Sequence, residues 1–440
     1  MEERFTIPGP RIGALVIVLS MAAAGLWADD AATSDSSWEA LINEVLQSSP
    51  ALEAARLKWE AMQERPEIAK ALPDPMLTYG YFLQNVETRV GAMNQKLTIA
   101  QKVPLFGKRG LAASRAEKEA LVAMWEYQKL GRELILRARL ASIDLHRIDR
   151  SREILQAQLD LLATVGATAQ ARYEAGRTPQ TDVLKVRLAV TEIQNRLLAL
   201  AQQRDSALAR LNALRDAPPA TPFQPAVELP AYPLPDQSAA LAAGTRYRQE
   251  LQSAGVAIER DEFAVELARK NRLPDFTFGL DYTQVDRSTV SNPSDNGQDA
   301  LMAFVGINLP IWRGKLRAEE REAQKKLAAS RAARRDTART VEADITEAWS
   351  RAEVARDQLT LYDESLLPAA QQTFEVSHAG YEAGKAGFID LLDSERMLLA
   401  LQLGRLMSES ERARALASLE RAVGVDLDQI GRAPPDADGK

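Results

Sequence analysis

The segment Tyr173-Glu174-Ala175-Gly176-Arg177 returns later in the chain as Tyr381-Glu382-Ala383-Gly384-Lys385. The offset that carries Tyr173 to Tyr381 also carries Asp182-Val183-Leu184 to Asp390-Leu391-Leu392, Leu208-Ala209 to Leu416-Ala417, and Leu211 to Leu419. Upstream, Leu72-Pro73-Asp74 is answered by Leu273-Pro274-Asp275, and Val103-Pro104-Leu105-Phe106 by Leu309-Pro310-Ile311-Trp312. A chain that repeats itself over such a distance is built from two copies of one unit. The copies lie at 29–216 and 236–424. The segment 217–235 between them holds Pro218, Pro219, Pro222, Pro225, Pro230, Pro233 and Pro235. Such a run cannot be helix and reads as a linker. Residues 425–440 read as a C-terminal tail.

Each copy contains two stretches of period two, the signature of strands. Phe276, Phe278, Leu280 and Tyr282 alternate with Thr277, Gly279, Asp281 and Thr283, and Leu301, Ala303, Val305 and Ile307 with Met302, Phe304 and Gly306. In the first copy the series are Leu77, Tyr79, Tyr81, Leu83 and then Leu97, Ile99, Val103. Strands are expected at 76–84, 95–103, 275–284 and 300–310. An apolar face opposite a small or polar one suits a transmembrane barrel strand around a watery lumen. An ordinary half-buried hairpin shows the same alternation.

The helices discriminate between the two. After 108 the first copy has no proline until Pro179, and a three-and-four seam runs through Leu134, Ala138, Ala141, Leu145, Ile148, Leu155, Leu159 and Leu162. The second copy has Val341, Ile345, Ala348, Ala352, Ala355, Leu359, Tyr362 and Leu366. This is coiled-coil spacing. Long helices are expected over 108–175 and 314–383, the second kinked at Pro368, with returning helices over 182–215 and 390–423. At about 1.5 Å per residue the long helices reach on the order of 100 Å, too long for a globular domain. Four strands cannot close a barrel, and open edges are not tolerated in lipid. If the strands are transmembrane, the chain must oligomerise.

Composition narrows the function. The 440 residues carry a formal net charge of −6, which argues against nucleic acid as a partner. No cysteine and only two histidines, His146 and His378, exclude thiol catalysis and leave almost nothing for a metal centre. No catalytic, cofactor-binding or metal site is expected, and the chain reads as no enzyme. Arg4 and Arg11 precede an uncharged apolar run from Ile12 to Trp27, followed by Ala28 and Asp29-Asp30. That pattern reads as a cleaved signal peptide over 1–28.

The helix turns carry their own physics. Gly176 and Gly384 are placed to end the long helices in a left-handed cap. Asp182 and Asp390 are placed to receive the first amides of the returning helices. Only the second copy adds Asp393, on the same helix face as Asp390; the first has Lys185 at that point.

Taken together, the paired Tyr-x-x-Gly-x-x-x-x-x-Asp turns, the Leu-Pro-Asp strand starts and the Val-Pro-Leu-Phe-Gly-Lys junction resemble those of the TolC-family outer membrane factors. These are exit ducts of Gram-negative tripartite efflux systems, and the short Pro-Leu-Phe-Gly-Lys junction is most similar to the heavy-metal CzcC and CusC branch. The resemblance implies a mainly α protein with a membrane β-barrel. Three identical chains would make a twelve-stranded outer-membrane barrel continued by a long α-helical barrel through the periplasm. Partners would be a periplasmic adaptor protein, an inner-membrane resistance–nodulation–division pump and outer-membrane lipid, with no cofactor. Exported substrates would be heavy-metal cations or drugs. A polypeptide-secretion duct on the same fold and a poreless coiled-coil scaffold are the competing readings. The resemblance also implies that Asp390, Asp393 and Tyr381 form the periplasmic gate. It places adaptor docking at the tips, around Tyr173, Gly176, Asp182, Leu184, Gly384 and Leu392. The family's gate arginine would fall at Ala386, so closure here uses other bonds.

Overall fold

The computed structural model describes residues 35–226, 228–229, 232–290 and 293–430. The expected signal peptide and residues 431–440 of the tail lie outside the described residues. Three helices lead in: α1 (Asp35–Ser48), α2 (Pro50–Gln63) and α3 (Arg65–Lys70). The hairpin β1 (Met76–Thr88) and β2 (Gly91–Val103) follows, then α4 (Lys108–Glu174) and α5 (Gln180–Leu214). The second copy repeats the order with α6 (Gln237–Tyr247), α7 (Gln249–Lys270), β3 (Phe276–Val285), β4 (Ala300–Ile307) and α8 (Arg313–Leu361). It continues through a π-helical turn (Tyr362–Leu366) into α9 (Leu367–Glu382) and α10 (Phe388–Val423).

The four strands make one antiparallel sheet in chain order. Its register puts Leu77, Ile99, Leu280 and Ala303 in one row and Tyr79, Leu97, Tyr282 and Leu301 in the next. In these rows one face is apolar across all four strands, with Gln95 and Gln284 paired at its end. The intervening rows carry Thr78, Thr98, Asp281 and Met302 to the other face. There Lys96 Nζ lies 3.0 Å from Asp281, and Phe304 covers Gly279, where a Cβ would stand 2.3 Å from the ring. Among the described residues β1 and β4 each have one unpaired edge.

The hairpin is longer than its alternation implies. β1 runs past 84 to Thr88 and β2 begins at Gly91, ahead of 95, with a register shift between Tyr81 and Val86. The irregular pairing breaks the period-two signal, so the strand ends are silent in sequence. Gly91 has φ +129°, and a Cβ there would sit 1.6 Å from the Asp286 carbonyl oxygen. β4 ends at Ile307 rather than 310, where Asn308 N–H turns to donate to the Asp275 carbonyl at 3.2 Å.

The junction motif has a mechanical explanation. Phe106 and Gly107 both adopt left-handed φ, +60° and +78°, which redirects the chain from β2 into α4. Lys108 is buried and reaches into the other copy, donating from Nζ to the Leu273 carbonyl and to Asp275 Oδ1, both at 2.7 Å. The Pro-Leu-Phe-Gly-Lys and Leu-Pro-Asp motifs are two ends of one contact.

With 67 residues, α4 is the spine. It packs against α2, α3 and α7 nearer the sheet, and against α5 and α10 toward the far turn; α8 runs beside α7 and then α10. No described helix is long and apolar enough to cross a membrane.

The single helix expected over 314–383 is divided. A proline lacks the N–H and clashes with the preceding turn. Here the π-helical turn at Tyr362–Leu366 absorbs that mismatch just ahead of Pro368. Opposite it Gly404 receives Tyr362, since a Cβ there would be 2.5 Å from the Tyr362 hydroxyl. Arg405 fixes the turn through Nε to Asp363 Oδ1 at 2.5 Å. Gly404→Ala is expected to cost about 1–3 kcal/mol by overpacking. Gly255→Ala, in α7 with nothing within 4 Å of its Cβ position, should gain about 0.5–1 kcal/mol. Denaturant titration of the two variants checks the contrast.

Candidate gate at the helix tips

Both long helices end in the same motif. Gly176 N–H donates to the Tyr173 carbonyl at 2.9 Å and Arg177 N–H to the Arg172 carbonyl at 2.8 Å; Gly384 and Lys385 do the same to Tyr381 (3.0 Å) and Gly380 (2.8 Å). These are Schellman caps. Gly176 and Gly384 take φ +69° and +74°, a left-handed region that other residues enter only with strain.

The returning helices start differently from one another. In α10, Asp390 Oδ2 accepts the Gly387 N–H at 3.2 Å, a bond back to the helix start of the kind expected. In α5 the expectation for Asp182 fails. Pro179 occupies the N-cap, and Asp182 stands three positions on, buried, with no capping bond from its carboxylate among the described residues. Asp390 stands at the same position relative to Gly387, but Pro179 has no N–H to donate, and the Asp182 carboxylate lies buried near Tyr381 instead.

Tyr381 is 3% exposed. Its ring meets Phe388 edge-on, with centroids 5.6 Å apart. Around them Val183, Val186, Leu391 and Leu392 close the tip core. Leu392, placed with the docking residues above, is therefore a packing residue. Tyr173 and Leu184 are exposed, as are Asp390 and Asp393. Burial raises the Tyr381 phenol above its usual range; nearby Arg172 opposes the shift and Asp182 adds to it.

Two side chains at the tip escaped the sequence reading. One is Arg172, whose Cζ stands 4.7 Å over the Tyr381 ring. The other is Glu395, 4% exposed on α10. Burial pushes its carboxyl up to about 7, against the lowering charges of Arg396 and Arg196. A raised acid holds its proton in the folded state over the range where the unfolded chain has lost it. Stability therefore falls as pH rises from about 4.5 through about 7. Glu395→Gln should flatten this dependence, with the larger gain in melting temperature at pH 8 than at pH 5.5. A parallel downward shift at both pH values would contradict it.

His146 is buried and its Nδ1 lies 2.9 Å from the Ala226 carbonyl, so it ties the linker to α4. His378 stacks near Phe374. Among the described residues no group of histidines and carboxylates could hold a metal ion.

The architecture has known counterparts. The family model for outer membrane efflux proteins matches residues 41–215 and 246–425, most of both copies. The chain belongs to the outer membrane efflux protein family. It is a TolC-type outer membrane factor, located at the outer membrane and extending into the periplasm, and the family is one of channels. The chain is 26% identical over 279 residues to the cobalt-zinc-cadmium resistance protein CzcC of Cupriavidus metallidurans. That match spans 60% of this chain and 61% of the relative. It is 22% identical over 414 residues to the pyoverdine export outer membrane protein OpmQ of Pseudomonas putida, covering 87% and 85%. Among solved structures, CusC superposes with a TM-score of 0.74 at 16% identity, covering 89% of this chain and 92% of that chain. That likeness speaks for the fold.

Proposed function

We propose that three copies of this channel close a twelve-stranded barrel and conduct solutes from an inner-membrane pump and a periplasmic adaptor to the exterior, with heavy-metal cations as cargo. What carries the reading is the pair of bare edges on β1 and β4, each flanked by an apolar face. Backbone groups at such edges need partners in lipid, and the next copy supplies them. The repeats 29–216 and 236–424 each give two strands and one helix pair to the ring. The likeness to CzcC supports metal cations. Strains lacking the gene should become sensitive to cobalt, zinc or cadmium; unchanged metal tolerance with sensitivity to another class would overturn that cargo.

At the far end, the tips around Tyr173, Gly176, Leu184 and Gly384 receive the adaptor, and Asp390 and Asp393 form acidic rings at the mouth. Like charges crowded together repel and favour bound cations. In planar bilayers the channel should prefer cations and be blocked by divalent or trivalent ions from the periplasmic side. Replacing both aspartates by alanine should weaken the block while the assembly survives, since the Asp390 cap is worth only about 1 kcal/mol. An undiminished block would place the constriction elsewhere.

A further inference from the structure

Each internal repeat opens its first strand with Leu-Pro-Asp and closes its second with a junction into the long helix, so one chain carries two of each motif. Within the chain only one junction meets a strand start. β2 lies beside β3, and there the first junction grips the second strand start. Lys108 Nζ donates to the Leu273 carbonyl and to Asp275 Oδ1, with both side chains largely buried. The Phe106 ring stands 6.5 Å from that of Phe276. The other two motifs are left over. Leu72-Pro73-Asp74 precedes β1 and the second junction follows β4, and among the described residues each of these strands keeps one unpaired edge. Asp74 is exposed, and its carboxylate has no partner among the described residues.

The long helices identify the counterpart of Lys108. One offset carries Ala116 to Ala323, Leu134 to Val341 and Leu145 to Ala352, all of them buried. The same offset carries Gly107 to Gly314 and Lys108 to Lys315. At the tips, from Tyr173 to Tyr381, it is one residue larger, and the π-helical turn at Tyr362–Leu366 takes up that residue. The second junction also has one residue more. α8 starts at Arg313, whereas left-handed Gly107 still precedes α4. Beyond that insertion the helices are in step, so Lys108 and Lys315 leave them at the same height and on the same side relative to Ala116 and Ala323. Lys315 is 72% exposed, and its one partner among the described residues is Glu319, 3.6 Å away on the same helix. Exposed pairs of this kind are weak and readily exchanged.

We propose that Lys315 of one chain donates to Asp74 of the next, and to the Leu72 carbonyl beside it, repeating between chains the contact that Lys108 makes within one. The inference rests on the three-chain barrel, in which β4 lies beside β1 of the next chain as β2 lies beside β3. Enclosed in that seam, the pair gains the low local dielectric that strengthens a charge-assisted bond. It also makes closure selective, because a neighbour without a carboxylate at its strand start would leave the lysine buried and unpaired.

Charge exchange in the full-length chain tests the pair, read as the temperature at which heat-modifiable oligomer in outer-membrane fractions dissociates. Lys315→Glu sets two carboxylates against each other and Asp74→Lys two ammonium groups. Each should lower that temperature by several degrees. The two substitutions combined restore opposite charges and should recover most of the loss. Glu319→Gln, which removes the partner of Lys315 on its own helix, should match the parent. Single reversals without effect would overturn the pair, as would a combined variant no better than the weaker single one, or a loss in Glu319→Gln equal to that in Lys315→Glu. A parent that forms no trimer refutes the three-chain barrel itself, whereas a stable trimer indifferent to both charges refutes the pair alone.

Discussion

Arginine in place of Leu280 should abolish the assembled channel. Leu280 sits in the row Leu77, Ile99, Leu280, Ala303 on the apolar face of the sheet, facing lipid in the proposed barrel. A cation on that face near the bilayer midplane costs about 2–4 kcal/mol per chain, and a symmetric trimer incurs it three times over. Domain stabilities are typically only about 5–15 kcal/mol. The neighbouring Thr283 points to the opposite face, in register with Lys96, and Thr283→Arg should assemble normally. Heat-modifiable oligomer in outer-membrane fractions distinguishes them. If Leu280→Arg assembles as well as Thr283→Arg, the faces of the sheet are assigned the wrong way round.

The second large effect is expected far from both membrane and tips. Arg248, buried between α6 and α7, holds several elements at once. Its Nε lies 2.7 Å from Glu250 and Nη2 3.4 Å from Asp344 on α8, and Nη1 donates to the Arg421 carbonyl on α10. Arg421 in turn holds Glu250 at 2.7 Å. Burial lowers the Arg248 guanidinium, as does the neighbouring Arg421; Glu250 and Asp344 oppose them. Burial works to raise the Glu250 carboxyl, but Arg421 and Arg248 outweigh it and keep it below its usual range. Arg248→Ala leaves that carboxylate half-deserted inside the helix packing, and breaking such a buried pair costs about 3–5 kcal/mol. Arg248→Lys should recover little, because one ammonium cannot span three acceptors. Urea midpoints of the two variants against the parent check both statements. An Arg248→Ala variant within the error of the parent would show that the cluster contributes no net stability.

What could be read from the sequence follows from which signals are periodic. The alternation Phe278, Leu280, Tyr282 and the seam Leu134, Ala138, Ala141, Leu145 each encode a burial pattern repeated over many residues, so strands and long helices stood out. The duplication located the turns, because Gly176 and Gly384 must each supply a left-handed residue at the same point of the unit. Single events left no such trace. The register shift beyond Tyr81 erased the alternation, and the π-helical turn before Pro368 followed from no composition cue. Asp182 carried the same signature as Asp390, yet Pro179, unlike Gly387, offers no N–H for its carboxylate to accept. The contact of Arg172 with Tyr381 was invisible because the two are distant in sequence. The comparison that could have found it is the mismatch of Arg172 with Gly380 inside otherwise matching turns. Glu395 likewise looks like any surface glutamate until the helices packed around it are known.

The central claim is that β4 of one chain pairs with β1 of the next, and a cysteine-free chain allows it to be tested directly. Thr78 on β1 and Met302 on β4 lie on the same face, separated within one chain by β2 and β3. At about 4.8 Å per strand they stand on the order of 14 Å apart, beyond the reach of a disulfide, which needs Cα atoms within about 7 Å. Thr78→Cys is combined in turn with Ala300→Cys, Met302→Cys and Phe304→Cys, and outer membranes are oxidised and resolved without reductant. At one of the three positions the account predicts a covalent ladder of monomer, dimer and trimer that ends at trimer. A chain that stays monomeric at all three, or a ladder that runs past trimer, would contradict a barrel closed by three copies.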